Sequence, residues 1–406
     1  MKKEMKKVPA VRFTGFTGDW EQRKLGDFGS VAMCKRIFKN QTAESGDIPF
    51  YKIGTFGGRP DAYISKELFD EYKKKYSYPE NGDILISASG SIGRTVEYTG
   101  ENAYYQDSNI VWLKHDNRIQ NSFLKHLYEI IKWAGIEGST IKRLYNNNIL
   151  KTEVMVPSVK EQKIIGNYFE KLDNLITLHQ RKSDQLKKLK AYFLQNLFPD
   201  KGEKVPKIRF KGFTDDWEQR KLEDYLETST DKNFEGRYSK ADVLSVSGDV
   251  GVVNQIEFQG RSFAGASVLN YGVVNTGDIV YTKSPLKSNP YGIIKTNTGK
   301  TGIVSTLYAV YHPKQNTDSK FIECYFDSDY RLNKYLHPLV NKGAKNDMKV
   351  TADNALKGIV VIPAIKGEQT QIAMFFSKIE ELLTLHQRKL EALQTLKKFL
   401  LQNLFV

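Results

Sequence analysis

The sequence has few of the residues that build disulfide frameworks and metal sites. Its 406 residues include two cysteines, Cys34 and Cys324, which lie in different halves of the chain and form no CxxC pair. The six histidines share no metal-ligand spacing, so no metal site is predicted. These scarcities exclude a disulfide-stapled secreted domain and favour a reduced, cytoplasmic protein.

Long apolar runs are missing too. No segment approaches the roughly 20 consecutive apolar residues that a membrane span needs. The lysines of MKKEMKKVPAVRF precede no apolar run of the kind found in signal peptides. The sequence therefore predicts neither a membrane protein nor an exported one.

Several catalytic motifs are approached but none is complete. GKT at the end of NTGKT (297–301) matches the end of a phosphate-binding loop. That loop also needs a glycine five residues earlier, where this sequence has Ile294. SNPYG (288–292) has one proline where adenine methyltransferases have two, and SASGSIG (87–93) is a poor match to an S-adenosylmethionine turn. PDKGEKVP (199–206) has the letters of a metal nuclease in the wrong spacing. We therefore predict a binding protein with no catalytic residues.

Positive charge is what the sequence has in excess. The formal net charge is +14, while 40% of the residues are hydrophobic and 12% aromatic. The apolar content is enough for packed cores. The charge favours a polyanionic partner, nucleic acid before membrane.

The sequence also repeats itself. VPAVRFTGFTGDWEQRKL (8–25) returns as VPKIRFKGFTDDWEQRKL (205–222), 197 residues later. The segment from EQKII to LQNLF (161–198) returns at 368–405, 207 residues later. Weaker echoes lie between them in the same order, such as NGDILIS and TGDIVYT. One structural unit is therefore expected to occur twice.

The repeats predict an α+β fold with an internal pseudo-two-fold repeat. Two similar mixed α/β domains are joined by two long repeated helices, which pack as an antiparallel coiled coil. The predicted boundaries are 1–158 for the first domain, 159–200 for the first helix, 201–364 for the second domain and 365–406 for the second helix. Trp20 and Trp217, within the repeated DWEQRKL, are expected to pack at the start of each domain.

Apolar residues in the repeated helices recur at steps of three and four, as at Ile165, Tyr168, Leu172 and Leu175. Each helix would be about 57 Å long, which suits a coiled coil better than an ordinary packed helix. Continuing the rhythm places polar residues on the seam, where they would fix the register of the pair or lie at its solvated edge. These residues are His179, Lys182, His386 and Lys389.

The order of these motifs resembles one known family. The DWEQRKL entries, the Gly-Asp-Ile turns and the P-x-x-x-EQ entry into a long helix (157–162, and with one extra residue 363–369) occur twice. Together they resemble the specificity subunit, HsdS, of type I restriction-modification systems, over nearly the whole chain. Each motif alone is weak, whereas their repeated order is specific.

The resemblance implies a function. In that family each variable domain is a target recognition domain that reads one half of a bipartite, asymmetric sequence in double-stranded DNA. The helices set the spacer and dock two methyltransferase subunits (HsdM), which translocating restriction subunits (HsdR) join. S-adenosylmethionine is then expected on the methyltransferase, ATP and Mg on the nuclease partner, and no cofactor in this chain.

DNA-contacting residues are expected in polar loops where the two copies diverge. Arginine can hold guanine, asparagine or glutamine can hold adenine, and lysine mostly meets phosphate. The candidates are Arg59, Ser89, Ser91, Arg94, Gln106, Lys142 and Arg143 in the first half, and Lys283, Lys287, Asn289, Tyr291, Lys300, Lys342, Lys345, Asn346 and Lys349 in the second. Solvated surface positions remain the alternative for each.

Two other classes of function stay open at this point. A DNA enzyme with unrecognised catalytic residues, such as a nuclease or a self-contained methyltransferase, would bind S-adenosylmethionine or cut DNA without a partner. A coiled-coil adaptor with no DNA role would show no DNA retention and an interaction insensitive to salt.

Overall fold

A computed structural model gives the fold over residues 7–135, 143–283, 289–339 and 350–406. The chain divides into two compact units. Unit 1 comprises Met1–Arg181 and Gln387–Val406, and unit 2 comprises Lys182–His386. Each division falls near the middle of a long helix, so each unit contains one half of each helix.

The described residues form short strands and two kinds of helix. The strands are β1 Glu21–Lys24, β2 Gly29–Ala32, β3 Ile48–Tyr51, β4 Tyr63–Ile64, β5 Ile84–Ser87, β6 Thr95–Glu97, β7 Tyr104–Tyr105, β8 Ile110–His115, β9 Glu153–Val156, β10 Glu218–Lys221, β11 Leu226–Thr228, β12 Leu244–Ser247, β13 Gly251–Asn254, β14 Gly272–Val274, β15 Ile279–Thr282, β16 Ile294–Thr296, β17 Gly302–Val304, β18 Tyr308–Pro313 and β19 Ile359–Ile362. The α-helices are α1 Lys66–Lys75, α2 Asn121–Ile130, α3 Asn146–Lys151, α4 Val159–Asn196, α5 Gln255–Gln259, α6 Ser319–Phe326, α7 Asp329–Leu336, α8 Ala352–Leu356 and α9 Lys366–Asn403. Short 3₁₀ turns lie at Leu25–Asp27, Lys39–Gln41, Leu222–Asp224, Lys240–Asp242 and His337–Leu339.

Each unit contains a four-stranded antiparallel sheet with the same strand order. The order is β2-β8-β5-β6 in unit 1 and β11-β18-β15-β16 in unit 2. A second layer packs against it, built from β4-β3-β7 in unit 1 and from the pairs β12-β13 and β14-β17 in unit 2. The shared sheet confirms the predicted duplication of a mixed α and β scaffold, and the second layer is where the units differ.

The repeated DWEQRKL forms the strand by which the chain enters each scaffold. β1 pairs antiparallel with β9, and β10 pairs antiparallel with β19. The partner strands are the apolar runs that precede the long helices, so the chain enters and leaves each scaffold side by side. Trp20 and Trp217 are buried next to these strands, as predicted.

The phenylalanine that follows each long helix packs on these tryptophans. Phe405, just beyond α9, lies 6.3 Å from the Trp20 ring in unit 1. Phe198, just beyond α4, lies 6.2 Å from the Trp217 ring in unit 2. Each unit therefore completes its core with the end of the other copy's helix.

The repeated Gly-Asp-Ile turns have one geometry. Gly82 and Gly277 adopt φ values of +94° and +93°, a left-handed conformation that side chains disfavour. The next carboxylate accepts a hydrogen bond from the backbone N–H three residues earlier, at 2.8 Å for Asp83 and 2.7 Å for Asp278. Glycine makes the turn and aspartate closes it before the central strand begins.

The glutamate of the repeated EQ binds the arginine of the repeated RF. Arg12 donates two hydrogen bonds to the Glu161 carboxylate, at 2.7 Å and 2.8 Å. Arg209 holds Glu368 in the same way, at 2.7 Å and 2.8 Å. Both carboxylates are almost fully buried, and the hydrogen bonds to them raise the pKa of each arginine. The first turn of each long helix is thereby fixed to the segment that enters the scaffold.

The glutamine of EQ fixes the helix to a loop of the same scaffold. The side-chain oxygen of Gln162 accepts from the backbone N–H of Gln120, at 2.9 Å, just before α2. Gln369 accepts from the N–H of Asp318, at 2.9 Å, just before α6. Each side-chain amide also donates to the carbonyl of the proline that precedes its helix, at 2.9 Å and 3.0 Å. This explains why proline, glutamate and glutamine recur together.

The two long helices run antiparallel, as predicted. In unit 1 Asp173, in the first half of α4, pairs with Lys397, in the second half of α9. In unit 2 Phe193, near the end of α4, packs on Phe375, near the start of α9, with ring centroids 4.7 Å apart. Each helix has 38 residues and begins two residues before the repeated EQ.

The buried seam differs from the apolar pattern near the helix centres. Leu175 and Leu189 fall on the predicted seam but are exposed, whereas Ser183 and Leu390 are buried. Of the polar residues predicted there, His179 and His386 are half-buried, whereas Lys182 and Lys389 are exposed. Their role in fixing register stays a prediction.

Candidate DNA interface

Several loops of unit 1 meet at one edge of its four-stranded sheet. β2 and β5 both pair antiparallel with β8, and Ser87, the last residue of β5, lies opposite Ile110, the first of β8. The loops after β2 and β5 therefore lie beside the loop before β8. A bridge between Ser89 and Arg143 brings the segment before α3 to the same place. We call residues 33–38, 88–94, 106–109 and 143–148 the loop edge of unit 1.

Asn109 is the centre of a hydrogen-bond cluster on this edge. Its side-chain oxygen accepts from the Ser89 hydroxyl at 2.8 Å and from the Arg143 guanidinium at 3.2 Å. The preceding residue, Ser108, has φ +50°, the only positive value at a non-glycine residue in the described part of the chain. A backbone held in this region costs about 1–3 kcal/mol and often marks a functional site. Two of the predicted residues, Ser89 and Arg143, thus share one partner.

An open cleft of about 830 Å³ lies beside Arg143. Its wall includes Tyr145, the three asparagines 146–148 and Lys151. Guanidinium and amide groups are those that hold guanine and adenine edges, and an ammonium suits a phosphate. The cleft therefore offers the chemistry expected of a surface that reads bases.

Arg94 and Arg59 come from separate loops that touch. The Arg94 guanidinium lies against Gly57, where an added Cβ would be 3.1 Å from its Nη2. Arg59 follows two residues later, and both arginines are exposed, as is Ser91. The fold therefore presents Arg94 on the loop edge of unit 1 and Arg59 beside it.

Gln106 points into the scaffold. Its side-chain oxygen accepts from the backbone N–H of Ile53, at 2.9 Å. The backbone N–H of Gln106 donates to the carbonyl of Tyr51, at 2.9 Å. These bonds position the loop that carries Gly57 and Arg59. The direct reading of a base by Gln106 stays a prediction.

Unit 2 builds the same edge from different residues. β11 and β15 both pair antiparallel with β18, so the loops that follow Thr228 and Thr282 lie beside the loop that precedes Tyr308. The Thr228 hydroxyl donates to Asp353, at 2.9 Å, which brings the start of α8 to this edge. We call residues 229–238, 283, 289–293, 305–307 and 351–354 the loop edge of unit 2.

Lys283 gives this edge a concentrated positive charge. Its ammonium donates to the carbonyl of Thr306 at 2.9 Å. Burial, and then the nearby charge of Lys232, lower the pKa of Lys283 below its ordinary value. The two positive charges repel each other, and a phosphate oxygen bound nearby would offset that repulsion.

Two other predicted residues of unit 2 are largely enclosed. Asn289 is buried and donates to the Asp329 carboxylate at 2.9 Å. Tyr291 is half-buried, and its ring lies 5.8 Å from that of His337. Both residues hold the loop after β15 against α7 and its extension, and their contact with DNA stays a prediction.

Lys300 lies at the opposite end of the strands. It is in the turn after β16, where the carbonyl of Gly299 accepts a hydrogen bond from the Thr276 hydroxyl, just before β15, at 2.7 Å. The start of β15 is the end remote from Lys283. The structure therefore does not bring Lys300 together with the loop edge of unit 2.

The remaining predicted DNA-contacting residues lie outside the residues that the structure describes. They are Lys142, Lys287, Lys342, Lys345, Asn346 and Lys349.

Sequence reasoning missed one loop in each unit. Phe38 and Phe234 each lie six residues after the first sheet strand ends, and they are 57% and 67% exposed. Short hydrogen bonds close both turns, such as the one from the Phe38 N–H to Gln41, at 2.9 Å. An exposed ring on an otherwise polar edge is suited to apolar contact with a thymine methyl group in the major groove. A large aromatic residue among lysines and arginines was the signal that could have found them.

Two copies of one scaffold carry different polar loops at the same edge, an arrangement that can present two different binding surfaces. The family model described as "Type I restriction modification DNA specificity domain" matches residues 17–188. A Haemophilus influenzae protein named as a type I restriction enzyme specificity subunit is 62% identical over 153 residues, which are 37% of this chain and 40% of that relative. A Methanocaldococcus jannaschii protein of the same description is 23% identical over 412 residues, covering 94% of this chain and 91% of that one.

A solved structure shares the fold. The S subunit of a type I restriction-modification system from M. genitalium matches with a TM-score of 0.59 at 13% identity, over 98% of this chain and 99% of that chain. The family model and the two relatives confirm the resemblance to the specificity subunits of type I restriction-modification systems that was stated from the sequence. No helix in the described residues is long and apolar enough to cross a membrane.

Proposed function

We propose that the chain reads a split, asymmetric sequence in double-stranded DNA, one half with each loop edge. The observation that carries the proposal is that the two scaffolds share their internal structure but differ in their loop edges. Buried Arg–Glu pairs, Gly-Asp-Ile turns and sheet order occur in both units, whereas the loop edges differ in residues and length. One scaffold that presents two different surfaces suits a target with two different halves.

The loop edges divide the work between bases and phosphates. In this proposal Arg143, Arg94 and Arg59 hold base edges, and Lys283 and Lys232 hold phosphates; the contacts of Arg143, Arg94 and Lys283 with neighbouring loops support it. Losing a bidentate base contact costs about 1–3 kcal/mol at one position of the target. Losing a phosphate contact weakens binding to all sequences and lowers its salt dependence.

The long helices dock two methyltransferase subunits, one on each unit. Exposed apolar side chains occur in equivalent pairs, counted by the 207-residue repeat of the helices. Leu178 and Leu385 are both 44% exposed. Leu396 and Leu189 are 38% and 42% exposed, and Phe399 and Tyr192 are 51% and 52% exposed. The first residue of each pair belongs to unit 1 and the second to unit 2. Two matching apolar sets suit two copies of one partner.

Stoichiometry tests the docking surfaces. A Leu178→Asp variant should lose one of two methyltransferase subunits, because a charge replaces apolar contact at one surface only. Light scattering after size exclusion should then give a 1:1 complex, as it should for Leu385→Asp, whereas the double variant should bind none. Full 2:1 assembly by the double variant would contradict this placement of the surfaces.

The chain itself carries out neither methyl transfer nor cleavage in this proposal. S-adenosylmethionine belongs to the methyltransferase partner, and ATP and Mg to a translocating nuclease partner. The purified chain should therefore leave DNA unmethylated and uncut under conditions in which the assembled complex methylates it. Methyl transfer by the chain alone would refute this division of roles.

Mapping methylated adenines tests the reading of two half-sites. DNA modified by the complex should carry methyl groups at one split sequence with a fixed spacer. Replacing residues 26–153 by the corresponding segment of a relative should change one half-site and leave the other as it was. A replacement that alters both halves, or a target with no spacer, would contradict two independent readers.

A further inference from the structure

Each unit contains one lysine that joins three structural elements. In unit 1 the ammonium of Lys397, on α9, lies 3.0 Å from Glu129 and 2.8 Å from Asp173. Glu129 is in the last turn of α2, within the α/β scaffold, and Asp173 is on α4. One ammonium thus connects the scaffold to both helices.

The same arrangement occurs in unit 2 with the helices exchanged. Lys190, now on α4, lies 2.6 Å from Asp327 and 3.0 Å from Glu380 on α9. Asp327 follows α6, the counterpart of α2. Lys190 and Asp173 correspond to Lys397 and Glu380 by the 207-residue repeat of the helices. We call these two arrangements the lysine clamps.

The clamps are partly shielded from water. The side chains of Lys397 and Lys190 are 18% and 20% exposed, well below the exposure of ordinary surface pairs. Burial alone would lower the pKa of Lys397, yet its hydrogen bonds to Asp173 and Glu129 raise it overall. Burial alone would raise the pKa of Asp327, yet the charges of Lys295 and Lys190 lower it. Lys397 and Asp327 are therefore charged at neutral pH.

A metal site is the alternative for the unit 1 cluster. His126, Glu129 and Asp173 place ligand atoms within 4.8 Å of one another. The Lys397 ammonium already donates to both carboxylates, so a cation of the protein occupies the place between them. In unit 2 the position of His126 is taken by Cys324, and the lysine is retained. The lysine is therefore the shared element of the two sites.

Each clamp is a second charged attachment along a helix, beyond the hydrogen bonds of the EQ motif. The first is the Glu161 pair in unit 1 and the Glu368 pair in unit 2. Asp173 and Glu380 each lie twelve residues further on, a distance of about 18 Å along a helix. Two attachments fix the angle between scaffold and helix, whereas one attachment is a pivot. A tilt of about 10° about the first would move the second by about 3 Å, close to the ~3.4 Å rise of one base pair.

We propose that the lysine clamps set the angle of each recognition scaffold on the helix pair, and so the spacer length at which both half-sites are read. Lys397 and Lys190 are positioning residues in this scheme. The inference rests on the proposed function, because it needs a split target. It adds to the helices a second determinant of spacing, one that lies at the junction with each scaffold.

The clamps are tested by measuring spacer discrimination, which is the preference of the complex for the native distance between the two half-sites. The assembled complex is given DNA with the native target and with the same half-sites one base pair closer or further apart. Lys397→Met should raise the relative methylation rate on the altered spacers by about tenfold, which corresponds to about 1.4 kcal/mol. The half-site sequences should stay the same, because no loop residue has changed.

Matched variants separate positioning from stability. Lys397→Arg keeps the charge and should keep native discrimination, as should Lys398→Met, which removes the adjacent exposed lysine. Lys190→Met should relax spacing less than Lys397→Met. In unit 2 Lys295 still pairs with Asp327, at 3.0 Å, and Lys320 with Glu380, at 3.0 Å.

The outcomes are distinct. Unchanged discrimination in an assembled Lys397→Met complex, or equal relaxation by Lys398→Met, would overturn the inference. If Lys397→Met does not assemble, Glu129→Gln decides the matter, since it removes one charge at nearly constant size and should also relax spacing. A wild-type complex that methylates no split target would instead refute the proposed function.

Discussion

Removing the buried glutamate of the EQ motif should destabilise unit 1 strongly. Glu161→Ala leaves the Arg12 guanidinium, whose side chain is 13% exposed, without its carboxylate. Breaking a buried pair by deleting one partner costs about 3–5 kcal/mol. The lower figure applies because Arg12 retains some access to water. For a unit of this size 1 kcal/mol corresponds to about 2–4 °C in Tm, so a fall of about 6–12 °C is expected.

Unit 2 allows the same measurement with one added bond. The indole N–H of Trp217 donates to Glu368 at 3.3 Å, besides the two bonds from Arg209. Glu368→Ala should therefore cost about 1 kcal/mol more than Glu161→Ala, or a further ~2–4 °C. The difference between the Tm decreases of the two variants is a sharper test than either decrease alone, because most systematic errors of the measurement cancel.

Calorimetry of the full chain, with hydrogen exchange to show which unit opens first, measures both variants. Glu21→Ala is the control, because its pair with Arg23 is exposed and should change Tm by less than about 2 °C. A double variant, Arg12→Met with Glu161→Met, should regain at least half of the loss, since no unpaired charge remains. A Glu161→Ala variant no less stable than Glu21→Ala would refute the reasoning.

Four further outcomes are expected. Burial raises the pKa of the Cys34 thiol to about 12, from an ordinary value of 9.0, so neither Cys34 nor the buried Cys324 should react with a thiol reagent at pH 8 until the chain is unfolded. Because the folded state disfavours the Cys34 thiolate, its contribution to stability is complete below about pH 9 and falls as pH rises toward 12, which denaturant titration at several pH values would detect. Gly277→Ala, at φ +93°, should cost about 1–2 kcal/mol by denaturant unfolding, whereas Gly18→Ala, with open space around it, should not. A four-residue insertion in α4, away from TLHQRK, should lengthen the spacer by about one or two base pairs in methylation maps, since it adds ~6 Å and nearly completes a helical turn; an unchanged spacer in an active variant would show that helix length does not set it.

The frame could be predicted from the sequence because it is written twice. Repeated letters marked the residues whose contacts recur, and the duplicated scaffold, the long antiparallel helices and the buried tryptophans were predicted from pattern alone. The chemistry of the repeats could not be read in the same way. Nothing in the spacing of Arg12 and Glu161 shows that they meet, because the contact joins residues 149 positions apart.

The helix seam shows a second limit of sequence patterns. Leu175 and Leu189 fall on the apolar rhythm, yet they are exposed, and Ser183 is buried. A periodic stripe records every apolar contact that a helix makes, including those with other molecules. It cannot separate the stripe that packs within the chain from the one left for a partner.

The candidate site was predicted as a set of loops, and which of them meet depended on strand order. Arg143 and Ser89 share an edge because the loop after β5 lies beside the start of β8 and a bridge joins Ser89 to Arg143. Lys300 belongs to a loop as polar as the others but lies at the far end of the strands. Residue type did not show that Asn289 is buried against Asp329, since asparagine serves equally as a base reader and as a loop-closing residue.

The two lysine clamps differ in a way that keeps their span constant. Unit 1 has the longer acid on the scaffold, Glu129, and the shorter on the helix, Asp173, whereas unit 2 has Asp327 on the scaffold and Glu380 on the helix. From unit 1 to unit 2 the scaffold acid becomes one methylene shorter and the helix acid one methylene longer. The two changes in side-chain length therefore offset each other on either side of the lysine. A Glu129→Asp variant of unit 1 should therefore relax spacer discrimination, because both acids would then be short. Adding Asp173→Glu should restore it by reproducing the arrangement of unit 2. Restoration by the second change would show that the three residues act as one span, whereas additive losses would show that each acid contributes separately.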